Sequence, residues 1–231
     1  MRKLFIILFL FLFASPAYAW MNVVTMGGST PGGCSMTCIE DVGFEGVGAP
    51  SIRWSTLSGS PNYDKATTDL DMIELKCYES ISSEVLLTPA SGYGELYISL
   101  RVRKHTSLSG YENWLNLRTV FGTSQANYYF HSDSGGQHTA IANTGTEDRV
   151  NSGITINTSY YILIYYKKGT GLNAIARMWL WDGSAWGGMS ESSDGNGTSD
   201  IQQIRIYDDV YIDNLKVSQT LIEDPTCVCT P

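Results

Sequence analysis

The chain has 231 residues, 43% hydrophobic and only 16% charged, a balance that fills a core and excludes an intrinsically disordered chain. Its formal net charge is −8. That argues against nucleic acid or an anionic membrane surface as partner, since both are bound by lysine and arginine displacing counterions.

Residues 1–19 read as a secretory signal. Arg2 and Lys3 form a positive start, Leu4 to Phe13 is unbroken apolar sequence, and Ala17-Tyr18-Ala19 supplies the small-x-small cleavage pattern. The run is about half of the roughly 20 apolar residues that a membrane helix needs. The expectation is therefore a secreted or periplasmic protein with no membrane insertion after signal removal. Residues 20–42 form a Gly-rich tether with Cys34 and Cys38. From 43 to 218, roughly ten or eleven short segments alternate in polarity, with turn residues between them and no helix longer than a turn. The length fits one large β domain. Residues 219–231 are a tail with Cys227 and Cys229.

Asp69-Leu70-Asp71-Met72-Ile73-Glu74 precedes the strand Met72 to Ser80, which contains Cys77 as a lone buried thiol. Glu95 to Arg103 is the clearest strand: Leu96, Ile98, Leu100 and Val102 share one face, and Tyr97, Ser99, Arg101 and Arg103 the other. Further on, Leu115 and Leu117 oppose Trp114, Asn116 and Arg118. His105, His131 and His138 fall at strand ends or in polar loops, without the spacing of a metal site or nucleophilic triad. Tyr160 to Tyr166 is apolar on both faces, a central strand ended by Lys167-Lys168-Gly169. Met178 and Leu180 oppose Arg177, Trp179 and Trp181, and Ile204 and Ile206 oppose Gln203, Arg205 and Tyr207. In an oxidising compartment the four terminal cysteines pair. Bridges between Cys34/Cys38 and Cys227/Cys229 would staple the ends together. A local Cys34–Cys38 bridge and a four-thiolate zinc site are the alternatives.

Several markers in order carry a resemblance. They are Phe44-Glu45-Gly46, Trp54, Ser58-Gly59-Ser60-Pro61-Asn62-Tyr63-Asp64 with Thr67-Thr68, Tyr165-Tyr166-Lys167-Lys168-Gly169 and Ile212-Asp213-Asn214-Leu215. Over residues 43–218 the chain resembles the concanavalin A-like lectin/glucanase superfamily. The resemblance implies an all-β, two-sheet antiparallel jelly-roll sandwich, with one sheet concave. It also implies a structural calcium ion between first and last strands, held by Glu45 and Asp213 with backbone carbonyls. No organic cofactor is expected. Laminarinase-type members carry Glu-x-Asp-x-x-Glu, with the outer carboxylates as catalytic pair. Here the first position is Asp69, the stretch sits early, and Asp69 and Asp71 share a strand face that Glu74 does not. A solvated approach to a strand is the expectation.

Tyr97, Arg101, Arg103, Trp114, Asn116, Arg118, Arg177, Trp179 and Trp181 emerge on the polar sides of their strands. Flat aromatic rings stack on sugar C–H faces, and Arg and Asn hydrogen-bond hydroxyls or carboxylates. The reading is a non-catalytic, lectin-like module that binds carbohydrate or another cell-surface polymer. The alternatives are a glycoside hydrolase or polysaccharide lyase, marked by paired carboxylates or a Tyr/His–Arg cluster in mid-groove, and a structural or adhesive module, marked by a blocked or apolar concave face.

Overall fold

The computed structural model describes residues 35–42, 53–66, 76–79, 83–104, 110–133, 136–143, 146–150, 154–192, 197–207 and 209–230. All lie in one compact unit, Gly33–Pro231. The signal-like segment, Cys34, the Phe44-Glu45-Gly46 motif, the Asp69–Glu74 stretch and His105 lie outside the described residues, as do the side chains of Cys77 and His138.

The protein is an all-β antiparallel jelly-roll sandwich. Its strands are β1 (Ser35–Thr37), β2 (Glu40–Val42), β3 (Trp54–Ser58), β4 (Asn62–Ala66), β5 (Lys76–Glu79), β6 (Glu84–Leu87), β7 (Glu95–Lys104), β8 (Gly110–Arg118) and β9 (Ser124–Asp133). They continue with β10 (Gly136–Asn143), β11 (Thr146–Val150), β12 (Ser159–Lys167), β13 (Ile175–Trp181), β14 (Trp186–Ser192), β15 (Gln203–Ile206), β16 (Val210–Ser218) and β17 (Val228–Thr230). One sheet runs β11-β10-β9-β8-β15-β6-β3. The other runs β14-β13-β12-β7-β16-β5-β4, with β2 also on β16. A short parallel pair, β1 with β17, joins the two ends of the chain.

β7 shows why the sequence folds this way. Leu96, Ile98, Leu100 and Val102 are all fully buried, and the period of two leaves Tyr97, Arg101 and Arg103 on the opposite face. β12 lies between β7 and β13, as its apolar character required. Inward from it, Ile162, Ile164 and Tyr166 join the core, which Leu115, Leu117, Tyr128 and Phe130 close from the facing sheet.

β8 departs from simple alternation. Its register against β9 shifts between Asn113 and Leu115, so Trp114 is the extra residue of a bulge. A bulge breaks the period of two, and Trp114 turns inward beside Leu115. It is 1% exposed and stacks on Phe130 at 5.3 Å. Trp114 is therefore a core residue, not a surface platform. Asn116 is likewise buried, its Nδ2 donating to Ser124 Oγ at 2.6 Å and Ala126 O at 2.9 Å. His131, expected at a strand end or in a polar loop, lies near the end of β9 and is buried.

Candidate functional site

The outward face of the β14–β4 sheet gathers residues from strands far apart in sequence. In cross-strand register, Tyr97 of β7 faces Tyr165 of β12, which faces Arg177 of β13. Two steps along, Asp213 of β16 faces Arg101, and Arg101 faces Tyr161. By parity Tyr97, Arg101, Arg103, Arg177, Trp179 and Trp181 thus share this face with Tyr161 and Tyr165, although Arg103 pairs with Ser159 and Trp179 with Leu163. Trp114, Asn116 and Arg118 belong to the other sheet and do not join them. Arg118 instead donates from Nε to Gly122 O at 2.9 Å.

The side chains interlock. The Tyr97 and Tyr165 rings lie 4.7 Å apart, and the Arg177 guanidinium carbon sits 5.8 Å from the Tyr165 centroid. The Tyr165 hydroxyl donates to Glu95 Oε1 at 2.7 Å. Arg101 lies over the Tyr161 ring at 5.5 Å, and Asn214 Nδ2 donates to the Tyr161 hydroxyl at 3.2 Å. Asn214 reaches it from the irregularity between Asp213 and Lys216, with φ of 48°, a left-handed conformation that asparagine tolerates better than most residues.

Burial and charge keep these phenols protonated. Desolvation raises Tyr165, and its hydrogen bond to Glu95 raises it further. Desolvation also raises Tyr97, with the Glu95 charge adding and Arg177 opposing. Tyr161 is raised by desolvation too, partly offset by the Asn214 hydrogen bond and by Arg101. At neutral pH these phenols therefore carry their protons and can donate hydrogen bonds.

A strap crosses this face. After β16 the chain places Ile222 so that its carbonyl accepts from Trp186 Nε1 of β14 at 2.8 Å. The Pro225 carbonyl then accepts from Asn214 Nδ2 at 3.3 Å and Lys216 Nζ at 2.6 Å, both on β16. β13, β12 and β7 lie between those edges, so residues 219–225 span the face. Ile222 and Pro225 are buried. Ser99, Leu163 and Lys216, level on the outward side, are also buried. An Asx turn helps shape the strap's return, with Asp224 Oδ1 accepting from Thr226 N at 2.7 Å. The Cys38–Cys229 disulfide and the β1–β17 pair then hold its end. Cys227 is disulfide-bonded as well, to a sulfur outside the described residues.

Tyr161, Tyr165, Asn214 and the strap escaped sequence reasoning. Tyr161 and Tyr165 have the parity that places them beside Arg101 and Tyr97, a signal masked because β12 reads as apolar on both sides. For the expected calcium pair, Glu45 lies outside the described residues. Asp213 is fully buried, accepts Asn214 N–H at 2.7 Å and faces Arg101 in register. Among the described residues no group of three or more His, Cys, Asp or Glu side chains is placed to hold a metal ion, and no helix is long and apolar enough to cross a membrane.

No family model matches the chain, and no curated protein does. Among solved structures it is similar to an endo-beta-1,4-glucuronan lyase from the fungus Trichoderma reesei, at 9% identity and a TM-score of 0.49, over 76% of this chain and 92% of that one. It is similar to the exoplasmic/lumenal domain of VIP36 in a calcium- and Man2-bound form, at 12% identity and 0.44, over 78% and 87%. A galectin from Caenorhabditis elegans is similar at 18% identity and 0.39, over 62% and 95%.

Proposed function

We propose that this protein is an exported, non-catalytic module that binds an acidic glycan or similar cell-surface polymer on the strapped sheet face. One observation carries the reading: cross-strand register sets Arg177 level with Tyr165 and Tyr97, and Arg101 level with Tyr161, on the face that by parity also carries Arg103, Trp179 and Trp181. Guanidinium groups pair with carboxylates in bidentate fashion, and the rings supply flat surfaces for sugar C–H faces. The strap covers the middle of this face, which is the mark of the structural or adhesive alternative, and leaves a ligand only the short stretches on either side of Ser99, Leu163 and Lys216. Retention on an array of acidic and neutral oligosaccharides, with Arg101→Ala and Arg177→Ala as controls, tests the reading. Equal retention of wild type and both variants would sink it.

A second reading has one observation in its favour. A phenol beside a guanidinium and an amide, as in Tyr161–Arg101–Asn214, is an arrangement for β-elimination from a uronate. There the amide and guanidinium would neutralise the carboxylate while a base removes the proton on C5, the C4–O bond breaks to leave a C4=C5 double bond, and an acid protonates the departing glycosidic oxygen. The raised phenol weighs against Tyr161 as that base. Ultraviolet absorbance of an unsaturated sugar product, followed over a panel of polyuronates, separates cleavage from binding. The calcium ion at Glu45 and Asp213 is carried as a proposal on the same footing: chelator should lower the melting midpoint, and an unchanged midpoint removes it.

A further inference from the structure

Phe121 is 93% exposed, at the tip of the β8–β9 turn. Exposed apolar side chains are common, but this one stands on a braced backbone. Thr119 N donates to Thr123 O and Gly122 N to Thr119 O, each at 2.9 Å. Arg118 donates from Nε and Nη2 to Gly122 O at 2.9 and 2.6 Å. From the neighbouring strand, Gln202 Oε1 accepts Val120 N at 3.1 Å, and Gln203 Nε2 donates to Val120 O at 3.2 Å. Gly122 has φ of +81°, and a Cβ there would stand 2.6 Å from Arg118 Nη2, so the turn admits only glycine without a shift of that guanidinium. The aromatic ring is therefore held in water by a fixed frame.

Beside it lies a cleft of about 690 Å³, within the range of small-molecule sites. Apart from Phe121 its lining is polar: threonine and serine hydroxyls, two glutamines, Lys168 and Asp200. Gln125 is buried and pinned, its Oε1 accepting Ser199 N at 3.0 Å and its Nε2 donating to Ser124 O at 3.0 Å. Lys168 Nζ donates to Asp200 Oδ1 at 2.5 Å. Here one aromatic ring, on a braced backbone, stands beside a carboxylate, an ammonium and several hydroxyls. That is the chemistry of a sugar ring, with one apolar C–H face and a rim of hydroxyls that both donate and accept. A protein partner would call for a contiguous apolar patch of a few hundred Å², which Val120 and Phe121, the two exposed apolar side chains of this turn, are too few to make.

We propose that this end cleft is a second saccharide site, for a neutral pyranose stacked on Phe121 with its hydroxyls on Asp200 and Lys168. It goes beyond the sheet-face reading, since no lining residue belongs to that face. Preorganisation of the turn lowers the ordering cost of binding. Saturation-transfer NMR on the full chain with methyl glycosides of glucose, galactose, mannose and N-acetylglucosamine tests it. At least one glycoside should receive saturation on its ring C–H protons. Phe121→Ala should weaken it at least tenfold, Phe121→Trp should retain it, and the paired Arg101→Ala/Arg177→Ala variant should leave it unchanged. Failure of all four glycosides, or indifference to Phe121→Ala at an unchanged melting midpoint, overturns the proposal. So does a Phe121→Ala variant that converts a dimer to monomer in sedimentation, because Phe121 would then serve a contact between copies. Loss of acidic-glycan retention alone would leave this cleft standing and remove only the sheet-face reading.

Discussion

Trp114 on β8 and Trp179 on β13 sit in similar local sequence, each beside leucines that point the other way, yet they end in opposite environments. Trp179 keeps its place on the outward face, next to Leu163 in register. Trp114 is pulled into the core by one extra residue in its strand. Alternation assigns sides only within an unbroken ladder, and a bulge resets it. The same contrast separates the two sheets: the β7–β12–β13 face collects guanidinium and aromatic groups, while β8 spends its polar residues on internal hydrogen bonds.

The largest expected effect concerns the strap that covers one side of this contrast. The Cys38–Cys229 bridge closes a separation of 191 residues, for which chain entropy gives about 5 kcal/mol. Because Cys227 is bridged as well, the tail stays cross-linked, so Cys229→Ser should lower the guanidinium midpoint by only part of that amount and raise hydrogen exchange at the amides of Ser99 and Leu163. A variant as stable and as protected as wild type would show that the strap is not held by this bridge. Next, Trp114→Ala should cost roughly 3–5 kcal/mol as a large core truncation, whereas Trp179→Ala should change stability by less than about 1 kcal/mol. Denaturant melts of the pair decide it, and similar losses would break the comparison. Asn116→Ala should cost about 1–3 kcal/mol, because the buried groups it satisfies lose a partner.

Arg177→Ala should leave the midpoint within about 0.5 kcal/mol and weaken acidic-glycan binding about tenfold, in line with loss of one charge-assisted hydrogen bond. Calorimetric titration reads this, and the same substitution at Trp114 should act through folding alone. The mildest prediction is electrostatic. Tyr128, Tyr165 and Tyr166 are all raised above the ordinary value of 10.0, foremost by desolvation. In the unfolded chain they ionise near that ordinary value, while the folded protein holds their protons longer. Stability should thus be level from neutrality to about pH 9 and fall as pH rises past 10. Thermal melts across that window check it, and a rise would contradict the burial of these phenols.

The strands of the fold were legible because their cause is local. Leu96-x-Ile98-x-Leu100-x-Val102 fixes a strand and its buried side by itself, and the apolar run at 160–166 placed β12 centrally. The shared outward face of Tyr97, Arg101, Arg103, Arg177, Trp179 and Trp181, the one proposed to bind, was legible for the same reason: it needed only the parity of β7 and β13. Trp114 was misplaced because the bulge depends on the partner strand, while Asn116 and Arg118 keep their parity but lie on the other sheet. The strap was invisible because its hydrogen bonds are backbone carbonyls of Ile222 and Pro225, which carry no side-chain signature.

By itself the sequence determined that this chain builds an all-β sandwich, and which residues of each unbroken strand face water. Both follow from the period of two and from turn chemistry, which act over a few residues. Only the tertiary structure decided which polar faces meet, that the tail lies over the one that gathers arginine and tyrosine, and that Phe121 overlooks a polar cleft. Those depend on register between strands tens of residues apart, and register is set by packing and bulges that no single strand contains.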